Sequence, residues 1–172
     1  MNNNIARIQN KICSGKSLID KSREFRSENK KLCFTNGCFD ILHLGHVMYL
    51  AEAASLGNHL IVGVNSDRSV KSLDKSPDRP INSENSRAFL IAAIEFVDLV
   101  VVFDEDTPET IIQNLMPDIL VKGGDYDPQE SDPTNAKYIV GRNHVLNAGG
   151  KVQTIDLVEG YSTTEILKKL NP

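Results

Sequence analysis

Two histidines three positions apart, His43 and His46, stand in the run Thr35-Asn36-Gly37-Cys38-Phe39-Asp40-Ile41-Leu42-His43-Leu44-Gly45-His46. On the first turn of a helix they share one face, so their imidazoles can donate together to phosphate oxygens. Gly37 allows an anion close to the chain, Gly45 keeps the wall between the rings low, and helix-end N–H groups add fixed donors. In an in-line attack on an α-phosphorus, donors aimed at the oxygens that gain charge lower the barrier, and no covalent intermediate is required. Taken alone, an H-x-x-H pair is more often a helix cap or a pair of neighbours than a catalytic site, and only its context lifts it above that. Cys33, Cys38, His43 and His46 also resemble a zinc ligand set, but the first spacing crosses a buried strand, which disfavours a metal.

Four further groups could meet a ligand. Lys122-Gly123-Gly124-Asp125-Tyr126 offers a cation for phosphate and a carboxylate for ribose or base, although strand-Gly-Gly-Asp is also an ordinary turn. In Glu159-Gly160-Tyr161-Ser162-Thr163-Thr164-Glu165, Ser162 and Glu165 form a capping box by sequence, which suffices for Ser162 but not for the hydroxyls beside it. Arg79 and Arg87 could clamp a phosphate, as most surface arginines do not, and Asn65-Ser66-Asp67 follows a strand where Ser66 or Asp67 could simply cap a helix.

These residues need a frame that brings strand ends together. Charged residues 17–26 read as a leading helix. Apolar runs at 31–35, 60–64, 99–103, 119–121 and 152–155 read as five buried strands. Between them, helices are expected from Val47, Leu50, Ala51 and Ala54 with Gly57 at the end, from Ser83 through Phe96, after Thr107-Pro108-Glu109, over 140–148, and from Ser162 to Leu170. Pro77 and Pro80 mark a loop over 71–82. Short, continuously apolar strands alternating with helices require a mainly parallel sheet covered on both faces: an α/β, Rossmann-like three-layer sandwich whose ligands bind beyond the carboxyl ends of the strands.

Composition narrows the partners. The 172 residues suit one domain, with 1–30 as a leading helical segment and 31–172 as the nucleotide-binding body. A net charge of −4 argues against a broad nucleic-acid surface and favours a small anionic ligand. The polar start Met1-Asn2-Asn3-Asn4 and the lack of a long apolar run point to a cytoplasmic protein without a membrane partner. Three cysteines, Cys13, Cys33 and Cys38, point to reduced thiols.

Gly37-Cys38-Phe39-Asp40 followed by His43-Leu44-Gly45-His46 resembles the signature of the cytidylyltransferase-like nucleotidyltransferases. Val64-Asn65-Ser66-Asp67, Arg79-Pro80-Ile81, Asp104-Glu105-Asp106-Thr107-Pro108, Lys122-Gly123-Gly124-Asp125-Tyr126 and the Glu159–Thr164 run extend the likeness to the heptose 1-phosphate adenylyltransferase branch, from about Lys31 to Leu170. The resemblance implies transfer of AMP from ATP, with Mg2+, to a heptose 1-phosphate, giving ADP-heptose and pyrophosphate for lipopolysaccharide core or similar glycans. It also implies a stand-alone form of a unit that many relatives carry behind a sugar kinase. Carried over by position, His43 and His46 are catalytic. Thr35, Asn36, Gly37, Cys38, Phe39, Lys122, Gly124, Asp125, Ser162, Thr163 and Arg87 are implied to bind nucleotide, and Asp40, Asn65, Asp67 and Arg79 to face the acceptor.

Two departures bear on this. Leu73-Asp74-Lys75 stands where the family commonly has Leu-Lys-Gly, leaving open whether Lys75 contacts phosphate; residues 129–137 exceed the shorter relatives, leaving their role and any homo-oligomer contact open. Glycerol-3-phosphate cytidylyltransferase is the nearest rival, disfavoured because Leu157 stands where that branch typically has arginine. A nucleotide-binding module without turnover and a structural zinc protein are the readings from other classes.

Overall fold

The computed structural model describes residues 3–73 and 79–170. The chain runs α1 (Asn4–Gln9), β1 (Ile12–Cys13), α2 (Gly15–Ser27), β2 (Leu32–Gly37), α3 (Leu44–Ser55), β3 (His59–Asn65), α4 (Asp67–Ser72), α5 (Glu84–Ala92), β4 (Leu99–Phe103), α6 (Glu109–Leu115), β5 (Ile119–Gly123), α7 (Arg142–Asn147), β6 (Lys151–Ile155) and α8 (Thr163–Leu170). The strands form one six-stranded sheet in the order β1-β4-β3-β2-β5-β6. Every described ladder is parallel.

Alternation along the strands feeds two separate cores. Cys33, Leu60, Val62 and Val64 meet Leu50 and Ala53 of α3 and Ala88, Ile91 and Ala92 of α5. Leu32, Phe34, Ile61 and Leu99 meet Leu18 of α2, Ile112 and Leu115 of α6 and Val145 of α7. Burying successive residues on opposite faces is what makes these strands read as continuous apolar runs rather than as alternating ones.

The sheet has one strand more than the five expected. β1 is only two residues long and pairs Ile12 with Val100 and Cys13 with Val101, so no apolar run announces it, and the leading segment is not helical throughout. Helix starts follow the capping chemistry in most places. Ser14, Ser66 and Ser83 accept from the backbone N–H groups of Ser17, Ser69 and Ser86. α6 differs: Pro108 occupies the N-cap position without a side-chain cap bond, and Thr107 lies outside it. α5 stops at Ala92 rather than reaching Phe96. Among the described residues no helix is long and apolar enough to cross a membrane. Lys75 and Pro77 lie outside the described residues.

The strand order reverses at β2: β3 and β4 lie to one side of it, β5 and β6 to the other. In open parallel sheets a crevice forms at that point, beyond the carboxyl ends of the strands.

Candidate active site

A cleft of about 640 Å3 occupies that crevice. Its middle is built by the connection from β2 to α3. Gly37 ends the strand with the ring of Phe39 packed where a Cβ would stand, at 3.2 Å, and Phe39 itself adopts a left-handed φ of 48°. The chain then reaches His43, which holds the N-cap position of α3 in extended conformation (φ −140°, ψ 171°) without using its side chain as a cap. Its carbonyl accepts from the N–H of His46 at 3.0 Å. The two imidazoles stack, with centroids 3.8 Å apart and planes 21° from parallel, and Phe39 meets His46 edge-on at 5.3 Å. At Gly45 a Cβ would lie 3.1 Å from the His43 ring and from Tyr161, so only glycine lets the ring and α8's approach close in.

Both rings are neutral near pH 7. Burial pushes the His43 imidazole below its ordinary value. Burial, together with the adjacent His43, pushes His46 down to about 4, against an upward pull from the backbone of Ile41. Nδ1 of each ring is buried without a partner among the described residues. That leaves Nε2 as the nitrogen each ring can offer to the cleft, which both histidines line.

The β5 and β6 end supplies the next wall. Lys122 is buried, donates to Asn36 Oδ1 at 2.7 Å, and stands 5.1 Å over the Tyr126 ring. Asp125 and Gly123 also line the cleft, while Gly124 turns instead against Asp156. Leu157, 58% exposed, covers Gly123, and Tyr161 is 46% exposed beside it. Ser162 caps α8 through the Glu165 N–H at 3.1 Å, as the capping box requires, and still lines the cleft with Thr163. Residues 127–138 wrap on themselves: Asp127 N–H donates to the Lys137 carbonyl, and the Glu130 carboxylate accepts from the Ser131 and Asp132 N–H groups and the Asn135 amide. This closed loop presents Pro133, Asn135 and Ala136 to the cleft.

Four expected ligands are elsewhere. Arg87 is fully buried, its Nε donating to the Asn82 carbonyl at 2.9 Å, Nη1 to the Cys38 carbonyl at 2.6 Å and Nη2 to Asp67 Oδ1 at 2.8 Å. Neither Arg87 nor Asp67 lines the cleft. Asp40 is buried and accepts from the N–H groups of Ile81 and Asn82 and from Arg79 Nε. Burial raises its carboxyl, and the Asn82 and Ile81 N–H groups with Arg79 more than offset that, leaving it below the usual carboxylate range. The Thr35 hydroxyl is consumed by Tyr49 OH at 2.6 Å inside the core. Asn36, Gly37, Cys38 and Phe39 do reach the cleft, as do Asn65 and Arg79 at its β3 side.

Sequence reasoning assigned no ligand role to Tyr138, Val140, Leu73 or the Asp106-Thr107-Pro108 turn, which it read as a helix start within the family likeness, and all of them line the cleft. Only the last carried a signal, its place directly after a strand. Cys33, the first member of the zinc list, sits in the core with its Sγ 2.7 Å from where a Gly57 Cβ would stand. Burial and the nearby Asp118 raise its thiol to about 11, the opposite of what a metal thiolate needs. Among the described residues no group of three or more His, Cys, Asp and Glu is placed to hold a metal ion.

Comparison with known proteins agrees with this geometry. The family described as cytidylyltransferase-like matches residues 34–169. The bifunctional protein HldE of Syntrophotalea carbinolica is 49% identical over 93% of the chain and 31% of its own length; that of Nitratiruptor sp. is 52% identical over 87% and 29%. The chain thus spans about a third of the length of the curated relatives it matches. Among solved structures, the lipopolysaccharide core biosynthesis protein of Thermoplasma volcanium is 31% identical with a TM-score of 0.57, covering 77% of this chain and 99% of that one. A pantoate-beta-alanine ligase of Francisella tularensis shares the fold alone, at 14% identity and a TM-score of 0.55 over 93% of this chain and 76% of its own. The paired histidines, the glycine turn beneath them and the matched 34–169 span place the chain in the cytidylyltransferase-like family.

Proposed function

We propose that the chain transfers AMP from ATP to a heptose 1-phosphate, releasing pyrophosphate. The observation that carries this is the stacked His43–His46 pair, set at the middle of the cleft with Nδ1 of each ring buried and Nε2 left to face a ligand. The likeness to the HldE proteins and to a lipopolysaccharide core biosynthesis protein supports the acceptor class.

In this reading an oxygen of the acceptor's phosphate attacks the α-phosphorus of ATP. The new P–O bond forms as the bond from the α-phosphorus to the α,β-bridging oxygen breaks, and pyrophosphate leaves with that electron pair. Charge grows on the bridging and equatorial oxygens. His43 and His46 donate there, and Ser162 and Thr163 add hydroxyls from the start of α8. Lys122, held by Asn36, supplies fixed positive charge at the nucleotide end. A triphosphate beside rings this readily deprotonated favours their protonation, so binding would recruit a second N–H on the imidazoles. Mg2+ would come with ATP and would neutralise charge on its phosphates. Use of ATP suits the cytoplasm.

The test is pyrophosphate release with magnesium, comparing ATP plus heptose 1-phosphate against CTP plus glycerol 3-phosphate. Turnover in the first mixture alone is expected. Turnover only in the second moves the chain to the cytidylyl branch, and silence in both favours another acceptor or a binding module.

A further inference from the structure

The two ends of the cleft differ in chemistry. Beyond β5 and β6 its wall carries apolar and aromatic surface, Leu157, Val158 and Tyr161, beside the phosphate-facing hydroxyls of α8. Such a surface fits a flat base. Beyond β3 and β4 the wall carries Asn65, Arg79, Asp106 and Thr107, with Leu73 and Pro108 as its apolar members. The histidine pair stands between, because β2 lies between these strand pairs in the sheet.

We propose that Asp106 and Thr107 form the subsite that reads the hydroxyl groups of the acceptor sugar; this rests on the sugar 1-phosphate reading above. A carboxylate has the wrong sign for a phosphate and the right acceptor geometry for neighbouring hydroxyls, so Asp106 serves the part of the acceptor away from its phosphate. Its position is fixed: Arg68 Nη1 donates to Oδ1 at 3.2 Å and Ser72 Oγ to the same atom at 3.3 Å. Oδ2 has no partner among the described residues. Arg68 also donates through Nε to Asp104 Oδ2 at 2.9 Å and to the Asp104 carbonyl, and Asp104 is held in turn by Ser66 at the cap of α4. The turn is thereby tied to α4 and β4 rather than left loose.

Thr107 stands next in the chain, exposed, and its hydroxyl is not spent on the helix that follows, since Pro108 holds the N-cap position of α6. Asn65, 5% exposed, leans on Ser69 Oγ through Nδ2 at 2.9 Å and closes the floor. Arg79 lies at the same end, so phosphate and hydroxyls of one acceptor have matched partners of opposite character.

The experiment measures KM for heptose 1-phosphate and for ATP, and the kcat/KM ratio of heptose 1-phosphate over mannose 1-phosphate, in the wild type, Asp106→Asn and Thr107→Val. Each variant is expected to raise KM for the heptose roughly 10- to 100-fold, the scale of a lost hydrogen bond to a charged or fixed polar group, and to shrink the heptose preference, while KM for ATP stays within about twofold. Leu157→Asp should do the reverse, raising KM for ATP and leaving that of the sugar. A heptose KM and sugar preference unchanged in both turn variants, with an active wild type, overturn the subsite alone. A wild type silent with heptose 1-phosphate overturns the parent reading and the subsite with it. Thermal midpoints matching the wild type separate these outcomes from misfolding.

Discussion

The histidine pair of α3 and the Arg87 cluster of α5 both bear on the β2–α3 connection, yet their hydrogen bonding is opposite. Around Arg87 each donor nitrogen meets an acceptor: the carbonyls of Asn82 and Cys38 and the carboxylate of Asp67. Asp40 is filled in the same way by Arg79, Ile81 and Asn82. At His43 and His46 both Nδ1 atoms lack partners. The cluster that is satisfied positions the loop, gripping it at the Cys38 carbonyl; the pair that is not satisfied is left to act on a ligand.

The largest expected effect breaks the satisfied side. Arg87→Met leaves two carbonyls and the part-exposed Asp67 carboxylate without their donor, and should cost about 3–5 kcal/mol in urea unfolding, the scale of several hydrogen bonds lost together at one buried site. A midpoint equal to the wild type would remove the structural role assigned to Arg87. His46→Ala should act on the other side, lowering kcat by roughly 10²–10³ while leaving the thermal midpoint near the wild type, since one transition-state donor is worth about that much. Thr35→Val sharpens the contrast. It orphans the buried Tyr49 hydroxyl and should cost about 1–3 kcal/mol of stability with little change in KM for ATP.

The smallest effect is on pH. His46 titrates at about 4 in the fold, below its ordinary 6.5, so the unfolded chain takes up the proton first. Its contribution to stability is whole above about pH 6.5 and is lost as pH falls toward 4. Urea midpoints across that window should decline less steeply for His46→Ala than for the wild type. Asp40, held below 3.8, loses its contribution only at still lower pH, so the two windows separate.

The sheet was legible because its central strands are buried on both faces, and runs such as Leu60–Val64 have no polar break. β1 was not, because two residues on an edge leave no pattern. The histidines and Ser162 stood out through spacing beside a glycine and a helix start, local features that the fold preserves. Asp40, Asp67 and Arg87 looked like ligands because sequence shows charge but not saturation: apart from Asn82 beside Arg87, the partners cited for them lie between 20 and 49 positions away. Asp106 and Thr107 stood in a motif of the family likeness, but their place at the cleft was hidden for the converse reason, since only the sheet order brings the β4 turn to the same cleft as α3.

The most direct measurement is nitrogen NMR of the histidine side chains during titration with α,β-methylene-ATP and magnesium. The chain has four histidines. His59, stacked on Phe25 and bound to Asp98, and His144, beside Glu109, serve as internal references away from the cleft. The expected result is that His43 and His46 shift and become easier to protonate while His59 and His144 stay fixed. Saturation with the analogue and no response at His43 or His46 would contradict the assignment of the pair as the phosphate-binding donors.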